Sequence, residues 1–196
     1  LRQNRPRLLV VETVVGKTDL AKSHSNWAEG YLIRLQCYEG IDSNQAVYEW
    51  DYARQLLHLR TAEASGRTRD ISTDVLEGEL YDERFLIRRP LLQALSVKNA
   101  PPPVLLIDEI DRADDEFEAF LLEILSEYSI TIPELGTYRS EVKPIVVITS
   151  NRTRDLHDAL KRRCFYHWVE HPDVDREVEI IRIRAPKVSL LSAEYV

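Results

Sequence analysis

The chain has 196 residues, 44% of them apolar and 30% charged, with a formal net charge of −7. That suits one globular domain, or one plus part of a second, able to bury a core. An acidic chain repels phosphate backbones, so non-specific nucleic-acid binding is not expected, and no apolar run approaches the ~20 residues that cross a bilayer.

The N-terminal stretch LRQNRPRLLVVE has a basic start but too short an apolar run for a signal peptide. Cys37 and Cys164, the two cysteines, make no disulfide framework. A reducing, cytoplasmic setting is therefore expected.

Five short β-type runs succeed one another: RLLVVE (7–12), YLIRLQ (31–36), VLLIDE (104–109), IVVITS (145–150) and FYHWV (165–169). The first, third and fourth are almost wholly apolar, as in strands covered on both faces of a parallel sheet. A helix is expected to start at Lys17. Segment 61–82 is polar and rich in small residues and reads as an exposed insertion or loop. The prolines at 101–103 block helix continuation and make a stiff approach to the third strand.

The clearest helix runs from about Asp114 to Tyr128, with Phe117, Phe120, Leu121, Ile124 and Leu125 in one stripe. Asp114, Asp115 and Glu116 sit in its first turn, where the helix dipole favours negative charge. A hairpin follows, Ile130 and Ile132 alternating with Thr131 and Gly136 supplying the turn. Helices are expected over 156–163 and 173–184, the last stopped by Pro186. Strands separated by helices make an α/β pattern.

Gly16-Lys17-Thr18 follow the first strand and open a helix. Backbone N–H groups at a helix start point at an anion, lysine adds a point charge, and a threonine hydroxyl can ligate Mg²⁺. Alone, this triplet is also what a plain strand–turn–helix junction looks like. The full phosphate-loop pattern needs a glycine five residues before Gly16, and Val11 stands there.

The partner half of such a site is VLLIDEID, where four apolar residues run into Asp108 and Glu109. The aspartate can hold Mg²⁺ through water, and the glutamate can orient and deprotonate an attacking water. A helix N-cap would account for one of these carboxylates, but not for their pairing with the distant Gly-Lys-Thr. The next strand ends at Asn151, which can face a γ-phosphate across the sheet or be an ordinary turn asparagine. Together the three elements point to a nucleoside-triphosphate site.

These motifs and their surroundings resemble an AAA+ ATPase, more narrowly the MoxR-like group and its CoxD-type members. The resemblance is carried by LIRLQCYEGID (32–42), AVYEWDYARQLLHLR (46–60), FLIRRPLLQAL (85–95), the long block 102–137 around VLLIDEIDRADDEFEAFLLEIL, and IVVITSNRTRDLHDALKRRCFYHWVEHPD (145–173).

It implies a P-loop NTPase three-layer sandwich with a five-stranded parallel sheet: an ATPase core over 1–172, and the start of a linker and helical lid over 173–196. ATP would lie on Val15, Gly16, Lys17, Thr18 and Asp19, with Mg²⁺ at Thr18 and, through water, at Asp108. Glu109 would be the catalytic glutamate and Asn151 the polar sensor. Arg163, with Arg162 the neighbouring candidate, falls where the family places an arginine finger reaching into the next subunit, and this implies a ring, usually a hexamer. Without that likeness, the two arginines read as favourable charge at a helix C-terminus. The CoxD-type likeness implies a metalloenzyme client, of molybdenum hydroxylase type, and a partner with a von Willebrand factor A domain.

Two departures stand out. Family members read much like VEGPxGVGKT; two further residues between Glu12 and Thr13 would restore both spacing and glycine. Either the loop is truly shortened, or two residues are absent from this sequence. The chain also ends where a lid with a second sensor arginine is expected, so the lid is truncated or lies beyond it, and no residue takes that role.

Other constellations carry less. Cys164, His167 and His171 have a zinc-like C-x2-H-x3-H spacing, but strand alternation splits them and no fourth ligand is apparent. Cys37 reads as a buried small residue, and Tyr48, Trp50 and Tyr52 as core. Arg152, Arg154, Lys161, Arg162 and Arg163 read as lining a subunit interface and the nucleotide. Two rivals to the ATPase reading are a nucleotide-binding scaffold that does not hydrolyse, and a motor stimulated by nucleic acid.

Overall fold

The computed structural model describes residues 5–11, 21, 23, 25, 29–66, 72–99, 101–169 and 173–184. Its centre is a five-stranded parallel sheet in the order β2-β5-β8-β1-β9. The strands are β1 (Arg7–Val11), β2 (Leu32–Gln36), β5 (Val104–Asp108), β8 (Ile145–Ser150) and β9 (Phe165–Val169). All five expected runs are strands of this one sheet, and its neighbouring pairs are parallel.

The physical reason is the apolar patterning. Every residue of β5 is buried, and β8 is buried from Val146 to Ser150. Successive side chains point to opposite faces. On one face Leu8, Val10, Ile33, Leu35, Leu105, Ile107, Val146 and Ile148 join a large core. On the other, Leu9, Val104, Leu106 and Val147 pack with Ala21. Ala21, Ser23 and Ser25 are helical, as expected of a helix following the first strand; its expected start at Lys17 lies outside the described residues. Strand β9 sits at the sheet edge, and its Phe165, Tyr166 and Trp168 remain exposed.

Helix α5 (Asp115–Glu127) takes the place of the expected 114–128 helix. The Asp114 side chain caps it, accepting from the Phe117 N–H at 2.8 Å. Phe117, Leu121, Ile124 and Leu125 are buried and Phe120 packs against them, so the stripe is real. The hairpin is present as β6 (Ser129–Ile132) and β7 (Gly136–Arg139). Helix α6 (Asp158–Arg163) and helix α7 (Val174–Arg184) follow within two residues of their expected bounds.

The segment between β2 and β5 holds more structure than its composition suggests. It contains α1 (Ser43–Val47), β3 (Tyr48–Trp50), α2 (Tyr52–Ala64), α3 (Thr73–Leu80), β4 (Leu86–Arg88) and α4 (Pro90–Leu95). Strands β3 and β4 form a separate antiparallel pair. The expected loop over 61–82 is corrected: α2 runs into it and α3 fills eight of its residues.

Helix α2 hides because only Gln55 and Ala62 are buried, so it has no apolar stripe to read. Polar contacts tie it down instead. Gln55 Nε2 donates to the Leu80 carbonyl at 2.6 Å, and His58 Nε2 lies 3.0 Å from Glu79 Oε2. Trp50 is core, with Tyr48 packed against that core, but Tyr52, expected there, opens α2 and is 69% exposed. Among the described residues no helix is long and apolar enough to cross a membrane.

Candidate active site at the carboxyl edge of the sheet

Parallel strands end together, so the carboxyl ends of β1, β8, β5 and β2 share one edge. Val10 is opposite Ser150 in β8, and Gln36 is opposite Asp108 in β5. Ligands of open α/β sheets bind outside such an edge. Strand β8 lies between β1 and β5, so these two ends are two strand spacings, roughly 10 Å, apart. Val15, Gly16, Lys17, Thr18 and Asp19 lie outside the described residues; β1, which leads to them, ends beside β8 on this edge.

Asp108 shares its sheet face with Val104 and Leu106, the face packed on Ala21. It is 5% exposed. Its Oδ1 accepts from the Thr149 hydroxyl at 2.5 Å. Its Oδ2 accepts from Arg34 at 3.1 Å (Nε) and 2.6 Å (Nη2).

The next residue breaks the strand. Glu109 adopts a left-handed backbone, φ 57° and ψ 50°, which costs a non-glycine residue energy and persists only where neighbours enforce it. Here the Glu109 N–H donates to Thr149 Oγ1 at 3.0 Å. A 3-10 turn, Ile110–Arg112, follows and buries Ile110 completely. The Glu109 side chain stays at the edge, its Oε2 accepting from Gln36 Nε2 at 3.1 Å and from Arg112 Nη1 at 3.4 Å. Its Oε1 has no hydrogen bond among the described residues.

Asn151 stands just past β8, between the ends of β1 and β5. Its loop is held by a buried carboxylate, Asp111. Asp111 Oδ1 accepts from the Asn151 N–H at 3.0 Å, and Oδ2 accepts from the Thr153 N–H at 2.8 Å and the Thr153 hydroxyl at 2.7 Å. Burial alone would push the Asp111 carboxyl up. The hydrogen bonds from the Thr153 side chain and backbone and the Asn151 backbone outweigh it and hold the group below its ordinary value.

A second buried carboxylate, Glu118 of α5, anchors the same loop further along. It accepts from the His157 N–H at 2.9 Å and pairs with Arg154. Arg154 also donates to the Ala113 carbonyl and to Asp115. Arg154 thus braces the loop, with 30% of its side chain still exposed.

Arg152 lies over the Trp168 ring, 5.0 Å from its centroid, and Lys161 pairs with Asp158. Arg163 Nη1 donates to the Leu122 carbonyl at 3.1 Å and to Ser126 of α5, while Arg162 is exposed and has no partner among the described residues.

Cys37 is buried, and burial first, then the nearby carboxylates of Asp108 and Asp111, push its thiol up to about 12. It is protonated at neutral pH and no nucleophile. Cys164 is buried as well, whereas His167 points to solvent and His171 lies outside the described residues. An open cleft of about 870 Å³ lies beside the site, lined by Tyr38, Gly40, Arg112, Asp114 and Thr153, but neither Asp108 nor Glu109 reaches it.

Asp108, Glu109 and Asn151 are therefore brought to one edge, and Thr149, Arg34, Gln36 and Asp111 join them unforeseen. Arg34 and Gln36 do show in the sequence as polar residues two apart within a strand. Only the register of β2 on β5 makes them neighbours of Asp108. The donor set suits magnesium, which takes one or two carboxylates and fills its remaining positions with water and phosphate oxygens.

A family model described as the AAA domain (dynein-related subfamily) matches residues 8–164. No curated protein shows significant similarity to the chain. Among solved structures, one described as a "putative ATPase" from Cytophaga hutchinsonii is similar, with a TM-score of 0.58 at 15% sequence identity. The match takes in 97% of this chain and 49% of that one, so this chain spans about half its length. At that identity the likeness concerns the fold.

Proposed function

The chain belongs to the AAA domain family, dynein-related subfamily, and from that premise we propose that it binds ATP with magnesium and hydrolyses it. The observation that carries the proposal is the pair Asp108–Glu109 at the carboxyl end of the fully buried interior strand β5, on the edge where β1 ends.

In this reading Val15 to Asp19 cradle the phosphates, with Lys17 on the β- and γ-phosphates. Thr18 and Asp108 hold magnesium, which when bound neutralises phosphate charge. Glu109 accepts the proton of the attacking water at Oε1, the oxygen that Gln36 and Arg112 leave unengaged. Asn151 contacts the γ-phosphate, and its position is supported by Asp111 beneath its loop. Thr149 keeps Asp108 and Glu109 in fixed relation, because one hydroxyl bonds to both. Arg163, or its neighbour Arg162, acts on the nucleotide of an adjoining subunit in a ring, a hexamer by family habit. Residues 1–172 form the ATPase core and 173–196 begin a linker to a lid.

The purpose we propose for hydrolysis is remodelling of a client protein. The CoxD-type, MoxR-like resemblance supports a metalloenzyme client of molybdenum hydroxylase type and a von Willebrand factor A-domain partner. That step rests on family analogy alone.

The test is phosphate release with Mg-ATP. Wild type should turn over, Lys17→Ala should lose both binding and turnover, and Glu109→Gln should bind ATP but release at least about 100-fold less phosphate. Wild type that neither binds nor hydrolyses ATP overturns the reading. Tight binding without turnover would favour the scaffold alternative, which draws its support from the loop position held by Val11.

A further inference from the structure

We infer that Arg34 is the resting counter-cation of Asp108 and must release that carboxylate before Asp108 serves a divalent metal. The inference rests on the Mg-ATP reading above.

An arginine in the middle of a strand, on a face otherwise lined by Leu32, Leu106 and Val104, needs a reason. The reason here is the carboxylate two register positions along. Arg34 does not grip Asp108 as a fork on both oxygens. Nε and Nη2 converge on Oδ2, while Thr149 holds Oδ1. A carboxylate oxygen has about two lone-pair directions. Oδ2 is thus saturated by Arg34, and Oδ1 is committed to a buried hydroxyl. Oδ2, the oxygen that Arg34 holds, has no acceptor position left for a metal's water until the guanidinium moves.

Arg34 is able to move. Half of its side chain is exposed, against 7% for that of Asp108, so it can be solvated on leaving. Departure also disturbs what lies beyond it. Arg34 Nη2 donates to Gln36 Oε1 at 2.5 Å, and Gln36 Nε2 in turn donates to Glu109 Oε2. Asp108, Arg34, Gln36 and Glu109 form a chain of charge-assisted and amide hydrogen bonds, so exchange of arginine for metal at one end loosens the hold on the glutamate at the other. Removing the guanidinium leaves a nearly buried carboxylate uncompensated, and such a group draws another cation.

The measurement is metal linkage, independent of turnover. The affinity of mant-ADP, a fluorescent ADP, is taken with excess EDTA and with excess Mg²⁺, and the ratio of the two is compared among variants. Arg34→Gln should raise the ratio at least about fivefold over wild type, the lower end of usual coupling between two ligands. Arg34→Lys, which keeps the cation, should stay within about twofold. Arg34→Met, which keeps the packing of the stem, stands in if the glutamine variant does not fold, and should behave like it.

A ratio unchanged or lowered on loss of the cation overturns the inference, because a merely structural arginine would not tune the metal and a helper would weaken it. Wild type that binds no mant-ADP under either condition overturns the ATPase reading and the inference together. Binding with an unaltered ratio overturns the inference alone.

Discussion

Thr149 joins two groups with one hydroxyl: it donates to Asp108 and accepts from the Glu109 N–H, and it is fully buried. Replacing it with valine keeps the shape but strands a backbone donor and removes a carboxylate's partner. Thr149→Val should lower unfolding stability by about 1–3 kcal/mol in urea melts. Asp111 makes a pH-dependent contribution. Its folded value is depressed below the ordinary 3.8, so its stabilisation is present above that value and is lost as pH falls through the folded one. Melts stepped from about pH 6 to about pH 3 should show the steeper acid loss in wild type, and Asp111→Asn should flatten that limb while lowering stability at neutral pH.

Among the elements, β2 and β5 meet under a tight constraint. A Cβ built on Gly30 would lie 2.2 Å from the Pro102 carbonyl oxygen, a backbone atom that cannot swing aside. Gly30→Ala must therefore push the start of β2 away from the approach to β5, where the Val104 N–H bonds to the Tyr31 carbonyl at 3.0 Å. The expected cost is about 1–3 kcal/mol, read as a lowered urea midpoint. Because Gln36 and Arg34 reach the site only through that pairing, the alanine variant should also weaken Mg-ATP turnover. Helix α5 makes a different point. Its apolar stripe was legible by spacing, but Glu118, one residue from Phe117, is wholly buried to anchor the loop after β8, and nothing in the local pattern sets it apart from the exposed Glu116.

For the whole molecule, the ring reading turns on Arg162 and Arg163, in the last turn of α6. The double variant Arg162→Ala/Arg163→Ala should keep mant-ADP affinity within about twofold and lose turnover by about 10³-fold. Mixing it with Lys17→Ala chains should restore part of the activity, since one chain brings an intact phosphate turn and the other an intact arginine. Mixtures as inactive as their parts would sink the shared-site arrangement.

The sequence by itself determined the α/β class, the five strands of the sheet and the acidic pair at the end of one of its buried strands. These follow from local chemistry: continuous apolar runs leave a parallel strand little alternative, and two carboxylates after such a run must emerge at its end. Tertiary structure alone decided which strands lie side by side, and hence that β8 separates β1 from β5 and that β2 brings Arg34 and Gln36 to the carboxylates. It also decided that Arg154 pairs with the buried Glu118 and that polar α2 is a helix. Register, partner choice and the pairing of buried charges are long-range matters; Arg34 meets Asp108 across 74 residues of chain, and no periodicity within a segment records such a meeting.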